Sequence, residues 1–464
     1  MNYPYIDEIV SQLQDSTFSV FCGAGASMDA THTSWEKLFH KTTQEFYNNK
    51  FNDDVYFLAD LESSYYNSDN FLGDIKEKLS RSASMESQHI NAITDLNINQ
   101  IWTTNFDEII ENTIRRKLGI EPTVIKDTED LFTCNLNGPF TVYKLNGSIG
   151  HGQSMVLTKS DFFAYFKEQR LVFELLKRQL VLDSFLFVGY SFKDDLVLNA
   201  LREIKDVFPE KGKQHYRFVR IKNPKEEDIR RSRAAYDRYE SQYFEDKYNI
   251  KTIFIDEQTE IDTYLRELYR RYCNQNVFIC GSFRNITNDE RLYIEEFVDA
   301  LVVELFKNRF NIYSGNGRGL GEIIVARTSK YQQVLNGHVV NRPLIFTGDS
   351  EQKKRLKNKR ILKDCSTMII ICGQDDSLQD SKNVYAQFGQ FMANFTDEAA
   401  PLVIPVPTTG YAAKSIYHSE DFRNTYSYRS NQAFFQRIEQ EDEPKSIAKL
   451  IANCILTYRK EPNS

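Results

Sequence analysis

The sequence predicts an α/β protein made of two Rossmann-like parallel-sheet domains, the first with a helical insertion. Short, almost wholly apolar runs recur along the chain, as expected of strands covered on both faces, and segments with helical spacing separate them. Several of these runs end in glycine or a small polar residue. The pattern restarts near residue 276, so we expect one domain over residues 1–273 and a second over 274–464.

The composition argues against several classes of partner. The 464 residues carry a formal net charge of −7, which disfavours nonspecific binding to nucleic acid or to an anionic membrane. No stretch approaches the ~18 apolar residues of a membrane helix, and the N-terminus lacks the pattern of a signal peptide. The seven cysteines are scattered and none forms Cys-x-x-Cys, so we expect no disulfide framework, no metal site and a reducing cytoplasm.

The turn after the first apolar run organises the N-terminal domain. An amphipathic helix over residues 3–14 precedes the strand Ser19–Cys22, which ends in two glycines one residue apart. Glycine permits positive φ and close approach of a ligand to the backbone, and amide groups at a helix start suit a pyrophosphate. A plain strand-to-helix turn would have the same residues. The predicted contacts of a dinucleotide are Gly23, Ala24, Gly25 and Ser27.

Three further strands of this domain end in polar or glycine-containing turns. Doubly wound sheets bind ligands at the carboxyl ends of their strands, so Asn105 is a candidate catalytic residue there. Helix capping is its alternative role, and Asp107 is a plausible helix N-cap. An aromatic-rich helical segment between the first two strands is expected to cover the pocket. The three turns contain Asn105 and Asp107, then Asn146, then Gly189 and Ser191. Asp107, Gly189 and Ser191 are also predicted to contact the dinucleotide.

Taken in order, the four turns resemble the motifs of sirtuin-like NAD-binding domains, over roughly residues 1–270. The resemblance implies that NAD⁺ binds as substrate, with its pyrophosphate at the first turn, and that no other cofactor is needed. It implies that Asn105 holds the nicotinamide ribose or an attacking water and that Ser191 lies near the adenine-side ribose. The zinc-binding cysteines of protein-deacetylating sirtuins are absent, which favours NAD⁺ cleavage. The four segments are residues 23–27, 103–107, 144–148 and 188–192.

One position departs from the sirtuin-like motif. The family usually has histidine as general base where this sequence has Asn146. A neutral amide cannot take a proton near pH 7, whereas an imidazole can. We therefore expect a catalytically weakened variant, or a different base, for which His151 is the nearest candidate. Positioning alone would retain some rate of hydrolysis.

The second half repeats the alternation of strands and helices. Its Gly315–Gly321 loop holds four alternating glycines, which suits a phosphate, although a loop without a ligand could have the same composition. Arg355 belongs to a basic run that is most often a solvated helix face. Pro405 indicates an edge strand or a strand end. The residues predicted to bind a ligand are Gly281, Ser282, Gly317, Arg318, Gly319, Arg355, Gly373 and Gln387.

This half resembles the SLOG domains, Rossmann-like modules that sense nucleotide-derived ligands, through Gly281–Ser282, Gly315–Gly321 and the segments around Gly373 and Gln387. Many SLOG members have glutamate at the position of Gln387. A sirtuin-like domain fused to a SLOG domain is the layout of the NAD-cleaving effectors of Thoeris antiphage defence. The resemblance implies a homotetramer that stays inactive until a cyclic ADP-ribose isomer, made by a TIR-domain protein, binds the SLOG domain.

The sequence also permits an alternative function. The chain would then be a non-catalytic protein that senses nucleotides and acts through a partner, and Asn146 is the best support for it. Release of nicotinamide from NAD⁺ discriminates the two. A DNA-binding regulator is disfavoured, because the charge balance is acidic and no helix-turn-helix pattern is found.

Overall fold

The chain folds into two compact units, Met1–Tyr269 and Arg270–Ser464. The predicted boundary between residues 273 and 274 stays a prediction. Structural statements below concern only the residues that the computed structural model describes. These are residues 3–31, 38, 55–65, 68–80, 85–96, 98–135, 138–149, 155–168, 170–192, 196–207, 212–221, 227–314, 317–334, 342–343, 361–375, 379–393 and 401–460.

A sheet of seven parallel strands forms the centre of the first unit. The strands are β1 (Phe18–Cys22), β2 (Gln100–Thr103), β3 (Thr123–Ile125), β4 (Thr141–Lys144), β5 (Ser184–Val188), β6 (His215–Arg220) and β7 (Ile250–Ile255). Their order is β3-β4-β2-β1-β5-β6-β7. The chain fills one side of β1 before it crosses to β5 on the other side. β1 and β5 therefore flank the switch point, beyond whose carboxyl ends open parallel sheets bind ligands.

Helices connect these strands, and the first of them agrees with its sequence pattern. It begins at Ile6 and buries four apolar residues at helical spacing. The helices are α1 (Ile6–Gln14), α2 (Met28–Thr31), α3 (Val55–Tyr65), α4 (Ser68–Ser80), α5 (Gln88–Asp95), α6 (Ile109–Leu118), α7 (Asp130–Thr133), α8 (Lys159–Glu168), α9 (Arg170–Leu182), α10 (Leu196–Val207), α11 (Glu227–Tyr248) and α12 (Thr259–Asn274). Of these, α2 to α5 lie between β1 and β2 and form the described part of the predicted insertion.

Aromatic side chains support the turn that follows β5. The ring of Tyr190 lies 4.6 Å from that of Phe21 and 4.7 Å from that of Phe192, centroid to centroid. Each such pair contributes about 0.5–1.5 kcal/mol beyond the burial of its area. Phe192 has a φ of 54°, a left-handed conformation that costs a bulky residue roughly 1–2 kcal/mol. Burial of its ring in this cluster offsets that strain and fixes the path of the turn.

The second unit contains a smaller parallel sheet of five strands. These are β8 (Asn276–Ser282), β9 (Asn311–Ser314), β10 (Arg342–Pro343), β11 (Thr367–Cys372) and β12 (Leu402–Pro405). Their order in the sheet is β10-β9-β8-β11-β12. The switch point lies between β8 and β11. β12 is an edge strand and ends at Pro405, which confirms the prediction from proline. The expected continuation of β10 to residue 346 lies outside the described residues.

The longest helix of the second unit begins with a capping box. Thr287 Oγ1 accepts a hydrogen bond from the amide of Glu290 at 3.2 Å, and the Glu290 carboxylate accepts one from the amide of Thr287 at 2.8 Å. Within the described residues, no helix of either unit is long and apolar enough to cross a membrane. The helices of this unit are α13 (Asn288–Lys307), α14 (Leu320–Val334), α15 (Lys382–Met392), α16 (Tyr411–His418), α17 (Glu420–Arg423), α18 (Tyr426–Ser430), α19 (Gln432–Gln440) and α20 (Pro444–Lys460).

His215 at the start of β6 is expected to make the fold sensitive to acid. Burial, assisted by Lys213, lowers the pKa of this imidazole from its usual 6.5 to about 3. Above pH 6.5 the imidazole is neutral in both the folded and the unfolded chain, so it adds no pH dependence there. As the pH falls from about 6.5 toward about 3, only the unfolded chain takes up a proton. The free energy of unfolding then decreases by up to about 1.4 kcal/mol per pH unit.

Urea unfolding of the native chain and of His215→Gln at pH 7.0 and 5.5 measures this effect. We expect the native chain to lose about 1 kcal/mol more than the variant between the two pH values. Glutamine keeps an acceptor for the amide of Phe185, which donates to His215 Nδ1 at 3.1 Å. Equal losses of stability in the two proteins would contradict the lowered pKa of His215.

Candidate functional site

The turns after β1 and β5 are locked together at the switch point of the first sheet. The amide of Gly23 donates to the carbonyl of Val188, and the amide of Gly25 donates to that of Gly189, each at 2.9 Å. A Cβ on Gly23 would lie 2.5 Å from the Gly189 oxygen. A Cβ on Gly189 would lie 2.1 Å from the amide nitrogen of Ala26. No residue with a side chain fits at these positions without moving one of the two backbones.

This geometry corrects the expected reason for two of the glycines. Gly23 is extended, with a φ of −100°, and the described glycines with positive φ do not include Gly25. The left-handed glycine is Gly189, with a φ of 63°. Gly23 and Gly25 are small because another part of the protein backbone approaches them. A short 3₁₀ turn, Ala24–Ala26, then leads through Ser27 to α2.

A hydrogen-bonded chain joins the first turn to the turn after β2. Ser27 Oγ donates to Asp107 Oδ2 at 3.0 Å and accepts from Asn105 Nδ2 at 3.1 Å. All three side chains are buried. Asn105 Oδ1 has no hydrogen-bond partner among the described residues. A buried acceptor without a partner costs about 1–3 kcal/mol, so this oxygen is suited to accept from a ligand hydroxyl or a water.

Asp107 was predicted to be the N-cap of α6, but it lies one residue before the N-cap. The N-cap of α6 is Glu108, and Asp107 Oδ1 nevertheless accepts a hydrogen bond from the amide of Ile109 at 3.1 Å. Burial raises the pKa of the Asp107 carboxyl, while the charge of Lys144 acts in the opposite direction. The role is therefore that of a cap, and the same carboxylate also holds Ser27.

A buried ion pair supports the turn after β2 from α6 and β4. Lys144 Nζ contacts Glu111 Oε1 at 2.8 Å, and the side chains of both residues are buried. The same ammonium group donates to the carbonyl of Phe106 at 3.3 Å and to that of Asp107. Sequence reasoning missed this pair. The available pointers were a lysine inside an apolar strand and a glutamate beside Ile109 and Ile110 in a helix.

Asn146 follows β4 at the sheet edge where Asn105 follows β2. Thr103 pairs with Lys144 in the parallel register, so each asparagine lies two residues beyond that pair. Asn146 is 1% exposed, and neither its Oδ1 nor its Nδ2 has a hydrogen-bond partner among the described residues. Two unpartnered amide atoms in one buried side chain indicate a place for a bound polar molecule.

Ser191 and His151 are two further predicted residues of the first unit, and the contacts described above do not include them. Ser191 is exposed, two residues after Gly189. His151 lies outside the described residues. The contacts above bring together Gly23, Gly25, Ser27, Asn105, Asp107 and Gly189, and these six residues are the crevice at the first switch point.

A cavity of about 250 Å³ is lined by His215, Asn249 and Lys213, which lie at the amino ends of β6 and β7. It is therefore at the sheet edge opposite to this crevice.

The second unit has a similarly tight arrangement at its own switch point. A Cβ on Gly281 would lie 1.9 Å from the carbonyl oxygen of Ile371, and one on Gly317 would lie 1.8 Å from that of Gly281. Ser282 O accepts from the amide of Gly373 at 3.0 Å. Gly319 has a φ of 74° and Gly373 one of 94°. The structure therefore brings together Gly281, next to the last residue of β8, and the glycines that follow β9 and β11.

The other residues predicted to bind a ligand in the second unit are Arg318, Gln387 and Arg355. Arg318 has an exposed side chain, and its carbonyl accepts from the amide of Phe283 at 3.0 Å. Gln387 is half-buried on α15, one turn beyond Val384, which packs against Gly373. Arg355 lies outside the described residues.

Sequence reasoning also missed Gln374, which follows β11. Its Oε1 accepts from the amides of Arg284 and Asn285, at 3.1 and 3.0 Å. Its Nε2 donates to the carbonyl of Asn285 at 3.1 Å. This buried amide therefore fixes the loop after β8, next to the glycines of the candidate ligand site. A glutamine directly after a strand-ending glycine was the available pointer.

Two parallel sheets, each with glycine-lined turns at its switch point, define a two-domain α/β protein of the Rossmann-like class. Residues 99–253 match the SIR2-like domain family, and residues 260–458 match the Sir2- and TIR-associating SLOG family. The chain therefore joins a SIR2-like domain to a SLOG domain, which confirms the resemblance found in the sequence. The SIR2-like match begins after the Gly23–Ser27 turn.

Relatives extend this similarity to nearly the whole chain. The chain is 26% identical to NAD(+) hydrolase ThsA of Bacillus cereus (strain MSX-D12), over 98% of this chain and 97% of that protein. It is 26% identical to NAD(+) hydrolase ThsA of Enterococcus faecium, over 96% and 95%. Defense-associated sirtuin 2 of Bacillus subtilis is 26% identical over 44% of this chain and 21% of its own. The content and order of the domains are those of a ThsA-like Thoeris effector.

Proposed function

We propose that the chain hydrolyses NAD⁺ to ADP-ribose and nicotinamide as part of antiphage defence. The observation that carries the proposal is the unpartnered Oδ1 of Asn105, held by Ser27 in the crevice at the first switch point. Relatives named NAD(+) hydrolase that match nearly the whole chain support the substrate. The crevice lies where parallel sheets bind dinucleotides, which supports the position of the site.

In this proposal each part of the crevice has one task. The Gly23–Ser27 turn takes the pyrophosphate, with Gly189 behind it, and Ser191 lies toward the adenine-side ribose. Asn105 Oδ1 accepts a hydrogen bond from the nicotinamide ribose or from the attacking water. Water adds to the ribose carbon as its bond to nicotinamide breaks, and one proton is released. An asparagine at position 146 can orient that water, but it cannot take the proton. The proton therefore goes to solvent, and the rate is lower than with a base.

We also propose that a nucleotide signal bound to the SLOG domain controls this reaction. The ligand would be a cyclic ADP-ribose isomer made by a TIR-domain protein, and the active form would be a cytoplasmic homotetramer. The match to the Sir2- and TIR-associating SLOG family and the glycine-lined turns of the second unit support this view. The signal acts only if it binds the active arrangement more tightly than the resting one.

Nicotinamide release from NAD⁺, with and without cyclic ADP-ribose isomers, tests the proposed activity. We expect release that increases with one isomer, and a decrease of roughly 100-fold or more in Asn105→Ala, the scale of losing one preorganised polar group. Asn112→Ala is the matched control, since this asparagine is on α6 and bonds to Arg115. No release under any condition would contradict the proposal.

A second candidate function is supported by the side chain at position 146. The chain would bind NAD⁺ and a nucleotide signal without catalysis and act through a partner. NAD⁺ binding by calorimetry with no release of nicotinamide, with or without signal, would favour this function over hydrolysis.

A further inference from the structure

The first turn of the crevice is also held by the start of α5. Ser87 is the N-cap of α5 and is fully buried. Its hydroxyl accepts from the amide of Ile90 at 3.2 Å and donates to the carbonyl of Ala26 at 2.9 Å. One hydroxyl therefore begins the helix and fixes a peptide group of the turn.

Two further contacts fix α5 itself. Asp29 Oδ2, on α2, accepts from the amide of Gln88 at 2.7 Å. His89 Nδ1 donates to Asp262 Oδ1, on the first turn of α12, at 2.6 Å. The side chains of His89 and Asp262 are both buried. Burial lowers the pKa of His89, but the hydrogen bond and charge of Asp262, with smaller contributions from Asp29 and Gln258, together outweigh it and leave the pKa raised.

A gain in folding stability does not by itself explain a buried pair such as His89 and Asp262. The desolvation cost of a buried ion pair often cancels its Coulomb energy, and apolar residues of equal volume are often as stable. What the pair does supply is a defined position for the first turn of α5. That turn carries Ser87, which reaches the backbone of the crevice.

We propose that Ser87, His89 and Asp262 are positioning residues for the turn that takes the pyrophosphate of NAD⁺. This inference rests on the proposed function. A carbonyl of Ala26 that is bonded to Ser87 cannot rotate toward the phosphates, whose charge its partial negative charge would repel. His89 and Asp262 keep Ser87 in place and so connect α12 to the NAD⁺ site.

The dissociation constant of NAD⁺ and the thermal midpoint, measured together, test the proposal. We expect NAD⁺ to bind about tenfold more weakly in Ser87→Ala and in His89→Ala. Ser87→Thr keeps the hydroxyl, and His89→Asn keeps a donor near Nδ1, so both are expected to recover most of the affinity. Glu240→Gln is the control: it removes a carboxylate paired with Arg217 at 3.0 Å, and we expect it to lower the midpoint without changing the affinity.

A purely structural role would give a different result. The alanine variants would then show lower thermal midpoints and the same NAD⁺ affinity as the native chain, which would overturn the proposal. Failure of the threonine and asparagine variants to recover affinity would overturn it as well. Nicotinamide release is measured separately. Its absence would count against the proposed hydrolysis, whereas the affinities would still decide the positioning role.

Discussion

Asn146→His is expected to raise the rate of nicotinamide release by about 100-fold, the lower end of what general acid–base catalysis contributes. The side chain at this position is buried at the carboxyl end of β4, and its two amide atoms have no partner among the described residues. In the proposed reaction, an imidazole there could take the proton of the attacking water, which the asparagine amide leaves to solvent. Steady-state kinetics with saturating NAD⁺ and signal measures the change.

The pH profile and a matched variant control for this effect. In Asn146→His the rate should increase with pH up to the pKa of the imidazole, because only the neutral ring accepts a proton. Asn146→Gln keeps an amide, so neither the higher rate nor the new titration is expected. Equal rates with asparagine and histidine would show that position 146 does not serve as the base.

Lys144→Met is expected to lower the free energy of unfolding by about 3–5 kcal/mol, the usual cost of leaving one buried charge without its partner. The variant removes the ammonium group that contacts Glu111 and donates to the carbonyls of Phe106 and Asp107. Methionine preserves most of the volume, so the loss reports the charge rather than a cavity. Urea unfolding, followed by tryptophan fluorescence, measures the change through Trp102, which lies on β2.

The double variant Lys144→Met with Glu111→Gln separates the two explanations for such a loss. It removes both charges of the pair, and we expect it to recover at least half of the stability lost in the single variant. A single variant within 1 kcal/mol of the native chain would contradict the role of the pair. Recovery of stability without recovery of nicotinamide release would indicate that Lys144 also positions the turn that carries Asn105.

Most of the fold was predictable because both sheets are parallel. Their strands are buried on both faces, so they appear in the sequence as near-continuous apolar runs such as Ser184–Val188. β3 was missed, since Thr123–Ile125 is only three residues long and two of these are half-buried. Too few residues remain there for any periodicity to be recognised.

Only part of the candidate site was predictable from the sequence. Residues at strand ends, such as Asn105 and Asn146, were identified because the carboxyl ends of parallel strands meet at one edge. The need for glycine at positions 23 and 25 was attributed to positive φ, which the structure does not show. Its actual cause, the approach of a second backbone segment, is a tertiary contact without a local signature. The Lys144–Glu111 pair joins β4 to α6 and likewise has no local signature.

The mutual contact of Gly23, Gly25 and Gly189 has a consequence for how such sequences diverge. These three positions are constrained by the chain itself, with or without a nucleotide. A descendant that lost all enzymatic activity would still retain them, whereas the proposed catalytic residue Asn105 would be free to change. Asn105, rather than the paired glycines, is therefore the better marker of retained catalysis among distant relatives.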